Sequence, residues 1–286
     1  MWTILFLTVT FMATATAQMD PVLPGEAPWH VSVQSKLFGT ITYHTFSGVI
    51  IDEYHILTSA DIHLDVLPLL TLLVGRVDLN GFGGLRRNIE KMTFHHDFHV
   101  VWPVLDFPNR NDIALFRVSE PFVWSETVQP IPLPRRNQSL AGQSSLLTGW
   151  QGPVIDGNGS LKKVTMPLIS HQLCDTFYGK YRIPAAQMFC GGLIDNEGGA
   201  VNLVGLTWDR GSPLACQDEE DGSTYLCGLY VHTAELHVLC DAPSPPEKDG
   251  GKTKPCSRSA GNAYPSAFLD IAKYVPWIDE MRQGSN

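Results

Sequence analysis

Residues 47–58 have the sequence SGVIIDEYHILT, in which two short apolar runs, Ser47–Ile51 and His55–Thr58, flank residues 52–54. Such runs, bounded by turn-forming residues, are typical of β-strands. Similar runs recur at 72–74, 113–116 and 226–231. Because no helical pattern separates them, we expect an all-β fold, built either as a sandwich or as a pair of barrels.

The last segment of the chain departs from this pattern. Apolar residues recur every three or four positions from Phe268 to Met281, which predicts a strand that runs into a short terminal helix. A proline is tolerated in the first turn of a helix, so Pro276 places this helix at about residues 275–283.

Composition and charge describe a globular chain and exclude one class of partner. The chain has 286 residues, 44% of them hydrophobic and 17% charged, and can bury a large core within one domain. Its net charge of −9 repels phosphate backbones, so we do not expect it to bind nucleic acid.

The first 17 residues carry an apolar run, residues 2–13, followed by the small-x-small pattern Ala15-Thr16-Ala17. This arrangement indicates a signal peptide that is cut after Ala17. The alternative is a buried first strand or helix, since no basic residue precedes the run. The run is too short to span a bilayer, and we therefore expect residues 18–286 to form a secreted protein without membrane insertion.

Secretion has two further consequences. Asn137 and Asn158 each begin an N-glycosylation acceptor pattern in polar, turn-like sequence, which makes the protein a candidate glycoprotein. In the oxidising secretory route, the six cysteines favour disulfides over a metal site.

Seven short motifs follow one another along the chain: PGEAPW at 24–29, LTSA at 57–60, NDIAL at 111–115, VQPIPLP at 128–134, TGW at 148–150, GSPL at 211–214 and AKYVPWI at 272–278. In this order and spacing they make the chain resemble the trypsin-like serine peptidases. The resemblance implies two packed six-stranded antiparallel β-barrels with a short C-terminal helix. The first barrel would span about 24–135 and the second about 140–270.

The resemblance also implies that the catalytic residues of the family are replaced. The family histidine of Thr-Ala-Ala-His-Cys corresponds to Asp61, and the nucleophile of Gly-Asp-Ser-Gly-Gly-Pro-Leu corresponds to Arg210. The orienting carboxylate is kept as Asp112. Trp208 stands at a glycine whose N–H builds the oxyanion hole, where a large side chain would obstruct the substrate. Asp61, Asp112 and Arg210 are thus the positions of a vestigial triad.

A shift of register does not readily restore the triad. Using His63 as the base breaks the match at 58–60, and Ser212 is held in place by Pro213. Residues 232–233 and Ser266 also replace the family residues that line the specificity pocket.

Charge balance at the vestigial triad predicts an ion pair. Asp61 would lie beside Asp112, and two neighbouring carboxylates destabilise the fold or raise a pKa unless a cation intervenes. We expect Arg210 to be that cation; the alternative is that it points into solvent. Family members also pair a new N-terminal ammonium with the aspartate before the serine, here Asp209. Signal cleavage before Gln18 is a candidate source of this ammonium, unless Gln18 cyclises.

The resemblance assigns Cys174 and Cys190 to a loop disulfide of the second barrel. Phe46 and Ile62 stand where the family has the cysteine pair that flanks its histidine. Other family cysteines are missing too, so we expect the remaining thiols to pair locally. The pairs would be Cys216 with Cys227 and Cys240 with Cys256.

Residues 95–99, HHDFH, carry the ligand types of zinc and copper sites. The family has a His-Pro-x-Tyr-like turn at this point, so we expect a structural role and neither a metal nor another cofactor.

Together these features predict a secreted, catalytically inactive serine protease homologue that binds other proteins. The resemblance suggests that its partners are extracellular proteases or their substrates, in a cascade such as those of innate immunity. One alternative is an active endopeptidase with a displaced triad. Another is a secreted structural or reproductive-fluid protein.

Overall fold

The computed structural model describes residues 19–37, 41–62, 69–99, 109–135, 140, 143–150, 159–178, 186–194, 200–201, 208–232 and 265–284. Several sequence predictions fall outside these ranges: the signal segment 1–17, Asn137, Asn158, Cys240 and Cys256. His63 also lies outside them.

The elements of the described residues follow in chain order: β1 (Asp20–Pro21), β2 (His30–Leu37), β3 (Ile41–Ile50), β4 (His55–Thr58), β5 (Leu70–Val74), β6 (Leu85–Phe94), β7 (Ala114–Val118), β8 (Ser144–Gly149), β9 (Lys162–Ile169), α1 (His171–Tyr178), β10 (Met188–Gly191), β11 (Leu193–Ile194), β12 (Ala200–Val201), β13 (Pro213–Gln217), β14 (Thr224–His232), β15 (Ser266–Asp270) and α2 (Ile271–Gln283).

The first barrel closes in the order β2-β3-β4-β7-β6-β5, with every pairing antiparallel. Successive side chains of a strand point to opposite faces, so alternate apolar residues converge on the barrel interior. Val31, Leu72 and Phe116 are among the side chains buried there. Phe46 and Ile62 pack in the same core, so apolar contacts stand where the family has a disulfide.

The second barrel is built in the same way. Strands β9, β10, β15, β14, β13 and β8 pair in that order, and a further β8–β9 pairing closes the ring. Strand β1 adds to the outer edge at β9, and β11 and β12 form a separate ribbon. The two closed six-stranded barrels confirm the expected fold.

The barrels pack on each other through an apolar cluster to which both contribute. Leu57 and Leu115 of the first barrel meet Leu229 and Leu269 of the second, and Ile278 of α2 joins them. All five side chains are buried. The turns that precede β7 and β13 lie at this junction, which positions the candidate site.

Two helical features differ from expectation. Helix α1 was not predicted, since its two turns bury only a short stripe that includes Cys174 and Tyr178. Helix α2 does follow directly on a strand, but it begins at Ile271, four residues before the predicted start. Asp270 caps it by accepting a 3.1 Å hydrogen bond from the Ala272 N–H. Pro276 therefore lies in the second turn, and the loss of one backbone hydrogen bond is offset by burial of the apolar face.

Both disulfides that fall within the described residues are confirmed. Cys174 in α1 is bonded to Cys190 in β10, and Cys216 in β13 to Cys227 in β14. None of the described helices is long and apolar enough to cross a membrane.

Candidate active site

Three turns meet where the barrels join: residues 59–61 after β4, residues 111–113 before β7 and residues 208–212 before β13. The third turn is fastened to the first barrel by a 2.9 Å hydrogen bond from the Ser47 N–H to the Arg210 carbonyl. Gly211 has a φ of +75°, and a Cβ at this position would lie 2.3 Å from the Ser47 carbonyl oxygen. Only glycine therefore fits the contact that joins these turns.

Asp112 is almost fully buried beneath the first turn. Its Oδ1 accepts hydrogen bonds from the Ser59 hydroxyl at 2.7 Å, the Ala60 N–H at 2.7 Å and the Asp61 N–H at 2.8 Å. Its Oδ2 has no hydrogen-bond partner among the described residues. Burial raises the pKa of Asp112 to about 7, although the bonds from Ser59 and Ala60 lower it.

The side chain of Asp61 forms an ion pair with Arg210. The two side chains are 31% and 44% exposed, so the ion pair is partly open to solvent. The expected ion pair is present, but Arg210 does not bridge two carboxylates. Asp112 is instead bound by neutral donors, as described above.

Asp209 lies at the centre of a buried polar network. Its Oδ2 accepts a 2.6 Å hydrogen bond from the backbone N–H of Trp150 and a 3.1 Å bond from the Ser47 hydroxyl. The Nε2 of His44 lies 3.2 Å from the same oxygen, without the alignment of a hydrogen bond. A candidate N-terminal ammonium at Gln18 lies outside the described residues, but the carboxylate is already bound without it.

The network extends to the serine and threonine hydroxyls of neighbouring strands. Ser32 Oγ is 2.9 Å from His44 Nδ1, and His30 is hydrogen bonded to Ser47 at 3.0 Å and to Thr148 at 2.7 Å. Burial lowers the pKa of His30 to about 3, although Asp209 raises it. His30 is therefore neutral over most of the pH range.

Ser32, His44 and Asp209 form a serine–histidine–carboxylate chain, which the sequence predictions missed. Their exposures are 0%, 1% and 2%, so a substrate has no access to this hydroxyl. One feature of the sequence could have predicted this chain: polar residues alternate along β2 with the buried Val31 and Val33. Such alternation ordinarily marks a solvent-facing side, whereas here the second barrel covers it.

The remaining predicted residues also have defined places. Ser212 is fully buried, and its Oγ has no hydrogen-bond partner in the described part of the chain. Trp208 is only 4% exposed and packs in the second-barrel core with Leu147 and Tyr230. Obstruction of the oxyanion position by this side chain stays a prediction.

Comparison with known proteins agrees with the fold. Residues 17–235 match the family model described as Trypsin. The chain is also similar to Trypsin-1 of Astacus astacus, with 32% identity over 268 residues that cover 91% of this chain and 96% of the relative.

Proposed function

Because the chain belongs to the trypsin family of serine peptidases, we propose that it is a catalytically inactive member of that family, secreted to act by binding other proteins. The observation that carries the proposal is the Asp61–Arg210 ion pair, formed by the two residues that the sequence motifs align with the family base and nucleophile.

The chemistry of these side chains supports inactivity. Peptide hydrolysis by this family needs a hydroxyl whose proton is taken by a neutral imidazole, with a carboxylate to orient the imidazole. A guanidinium is a donor only and stays protonated, so Arg210 cannot attack a carbonyl carbon. Asp61 is engaged by Arg210, and within the described part of the chain Asp112 binds the Ser59 hydroxyl and two backbone N–H groups and no imidazole.

The alternative of an active enzyme with a displaced triad finds little support among the described residues. Ser212 has no hydrogen-bond partner that could serve as its base. The Ser32–His44–Asp209 chain has the right chemical types but is buried on all sides. A nucleophile must reach the substrate carbon to about 3–3.5 Å, and this burial prevents such an approach.

Two observations support a secreted protein with a binding role. The two disulfides suit an oxidising compartment, in agreement with the signal peptide predicted at 1–17. A surface cavity of about 190 Å³ has a mixed lining, with the apolar Pro24, Val77 and Phe82 beside polar residues such as Arg76 and Asp78. Phe82 is fully exposed, and Leu23, which precedes Pro24 in the sequence, is 63% exposed. Exposed apolar side chains of this kind are common at protein-binding surfaces.

A fluorophosphonate probe tests the inactivity directly, because it labels serines that a neighbouring base activates. We expect no labelling of the mature chain and no cleavage of a broad peptide library, with active trypsin as the positive control. Labelling of any serine in this chain would establish the displaced-triad alternative.

Affinity capture from the native extracellular fluid tests the binding role. We expect extracellular proteases or their substrates to be retained. A Phe82→Ser variant should retain less of these partners, because Phe82 belongs to the proposed binding surface and its fully exposed side chain is dispensable for the core. Retention of matrix or seminal proteins alone would favour a structural or reproductive-fluid role instead.

A further inference from the structure

The turn after β6 brings three metal-ligand side chains together, and we propose that it binds one divalent transition-metal ion of the zinc class. His95, His96 and Asp97 form the one group of three histidine, cysteine or acidic residues, within the described part of the chain, whose candidate ligand atoms all lie within 4.8 Å of one another. The sequence alone led us to expect a structural turn here; the spatial convergence of the ligand atoms is the new observation.

His95 is the anchored ligand. Its ring is partly buried, lies edge-on to Tyr274 at a centroid distance of 5.6 Å and is 5.1 Å from the Trp277 ring. Its Nδ1 accepts a 3.2 Å hydrogen bond from the Asp97 N–H, so an ion at this nitrogen would replace that bond, while the contacts with Tyr274 and Trp277 would keep the ring in place. A ligand that is already held in place loses little freedom when the ion binds.

His96 and Asp97 are the adaptable ligands, with side chains 73% and 69% exposed. The His96 ring stacks on that of His95 at 4.6 Å, and His96 Nε2 lies 3.2 Å from Asp97 Oδ2. Tetrahedral zinc with bonds of about 2.0–2.1 Å keeps its ligand atoms about 3.3 Å apart. The widest separation of 4.8 Å must therefore shrink by about 1.5 Å, which rotation of the two exposed side chains can provide.

The ligand types select the class of ion. Two imidazoles and one carboxylate suit zinc or copper, whereas calcium and magnesium prefer oxygen ligands alone. The exposed side of the turn leaves the fourth position to water. Asn111 Nδ2 donates a 3.0 Å hydrogen bond to the Asp97 carbonyl, so the ion would brace the turn that leads to Asp112.

Calorimetric titration of the mature chain with zinc chloride, in a buffer that does not chelate, tests the proposal. We expect one zinc ion per chain. The affinity for zinc should be at least about tenfold lower in His96→Ala and in Asp97→Asn, because even the loss of a residue that only hydrogen-bonds a ligand lowers metal affinity by about that factor. Both side chains are exposed, so these variants should keep the wild-type melting temperature. Calcium chloride should give no heat of binding at this site.

His171→Ala provides the matched control. His171 faces Asp175 at 3.6 Å on the surface of α1, so this pair has similar ligand types but lacks a third member in the described residues. This variant should bind zinc as the wild type does. The proposal is overturned if the wild type shows no saturable zinc binding, if both turn variants bind with unchanged affinity, or if His171→Ala abolishes binding.

Discussion

The Asp61 carboxylate forms an ion pair with the Arg210 guanidinium, across the junction of the two barrels. The backbone N–H of the same residue donates a 2.8 Å hydrogen bond to Asp112 Oδ1. Asp61 thus keeps its negative charge against a cation, while its backbone contributes a neutral donor to the second carboxylate. This division explains how two acidic residues share one site without an imidazole between them.

Loss of this ion pair should lower stability modestly. Both side chains are partly exposed, so Arg210→Ser should reduce the free energy of unfolding by about 1 kcal/mol or less. For a chain of this size the melting temperature would fall by about 2–4 °C per kcal/mol. The variant should gain no peptidase activity, because among the described residues the group beside position 210 is the Asp61 carboxylate and not an imidazole.

A double-mutant cycle with Asp61→Asn separates the ion pair from other effects of Arg210. The double variant should be about as stable as either single variant, since each change removes the same interaction. The ion pair contributes nothing to stability if the losses of the two single variants add up in the double variant. An unchanged melting temperature in Arg210→Ser would show the same.

Titration of Asp112 should lower the free energy of unfolding as the pH rises. Its pKa is raised from 3.8 to about 7 in the folded protein, so the folded state holds a proton that the unfolded state has released between these values. Stability from this group is fully present below pH 4 and is lost as the pH approaches 7. In Asp112→Asn this dependence should vanish, so the variant gains stability relative to the wild type as the pH rises. Chemical denaturation at several pH values measures the difference, and two parallel stability curves would contradict it.

His30 should have the opposite effect. Burial lowers its pKa from 6.5 to about 3, so below pH 6.5 the unfolded chain binds a proton that the folded chain does not. Stability from this group is present above pH 6.5 and is lost as the pH falls toward 3. His30→Gln removes the titration, and its stability relative to the wild type should improve on acidification. The same denaturation series checks this, with Asp112→Asn as the comparison of opposite sign.

Gly211→Ala should be strongly destabilising. The φ of +75° disfavours any side chain, and the new Cβ would lie 2.3 Å from the Ser47 carbonyl oxygen. Strain of this backbone conformation and the steric overlap together cost about 2–5 kcal/mol. Gly222→Ala is the matched control, because Gly222 has a φ of +71° but no atom within 4 Å of a Cβ. That variant should lose only about 1–2 kcal/mol. Equal melting temperatures for the two variants would show that the contact with Ser47 is unimportant.

The fold was largely predictable from local patterns. Short apolar strands, ordered motifs and the pairs Cys174–Cys190 and Cys216–Cys227 were all found where expected. The errors concern helices. Helix α1 has too few turns to give a clear period, and Pro276 was assigned to a first turn although packing of Ile271 and Tyr274 extends the helix toward the N-terminus.

The sequence by itself determined an all-β class, its ordered motifs predicted two barrels through the family resemblance, and its residue types set the chemistry of Asp61, Asp112 and Arg210. Strand patterns and residue types are local properties, and a side chain that cannot act as a nucleophile cannot do so in any fold. Only the tertiary structure decided which partners these groups have. In the described residues, Arg210 forms an ion pair with Asp61, and Asp112 accepts hydrogen bonds from neutral donors. The second barrel packs over the polar side of β2. Contacts between distant segments bury Ser32, His44 and Asp209. The path of one turn brings together His95, His96 and Asp97. Local sequence patterns encode neither of these.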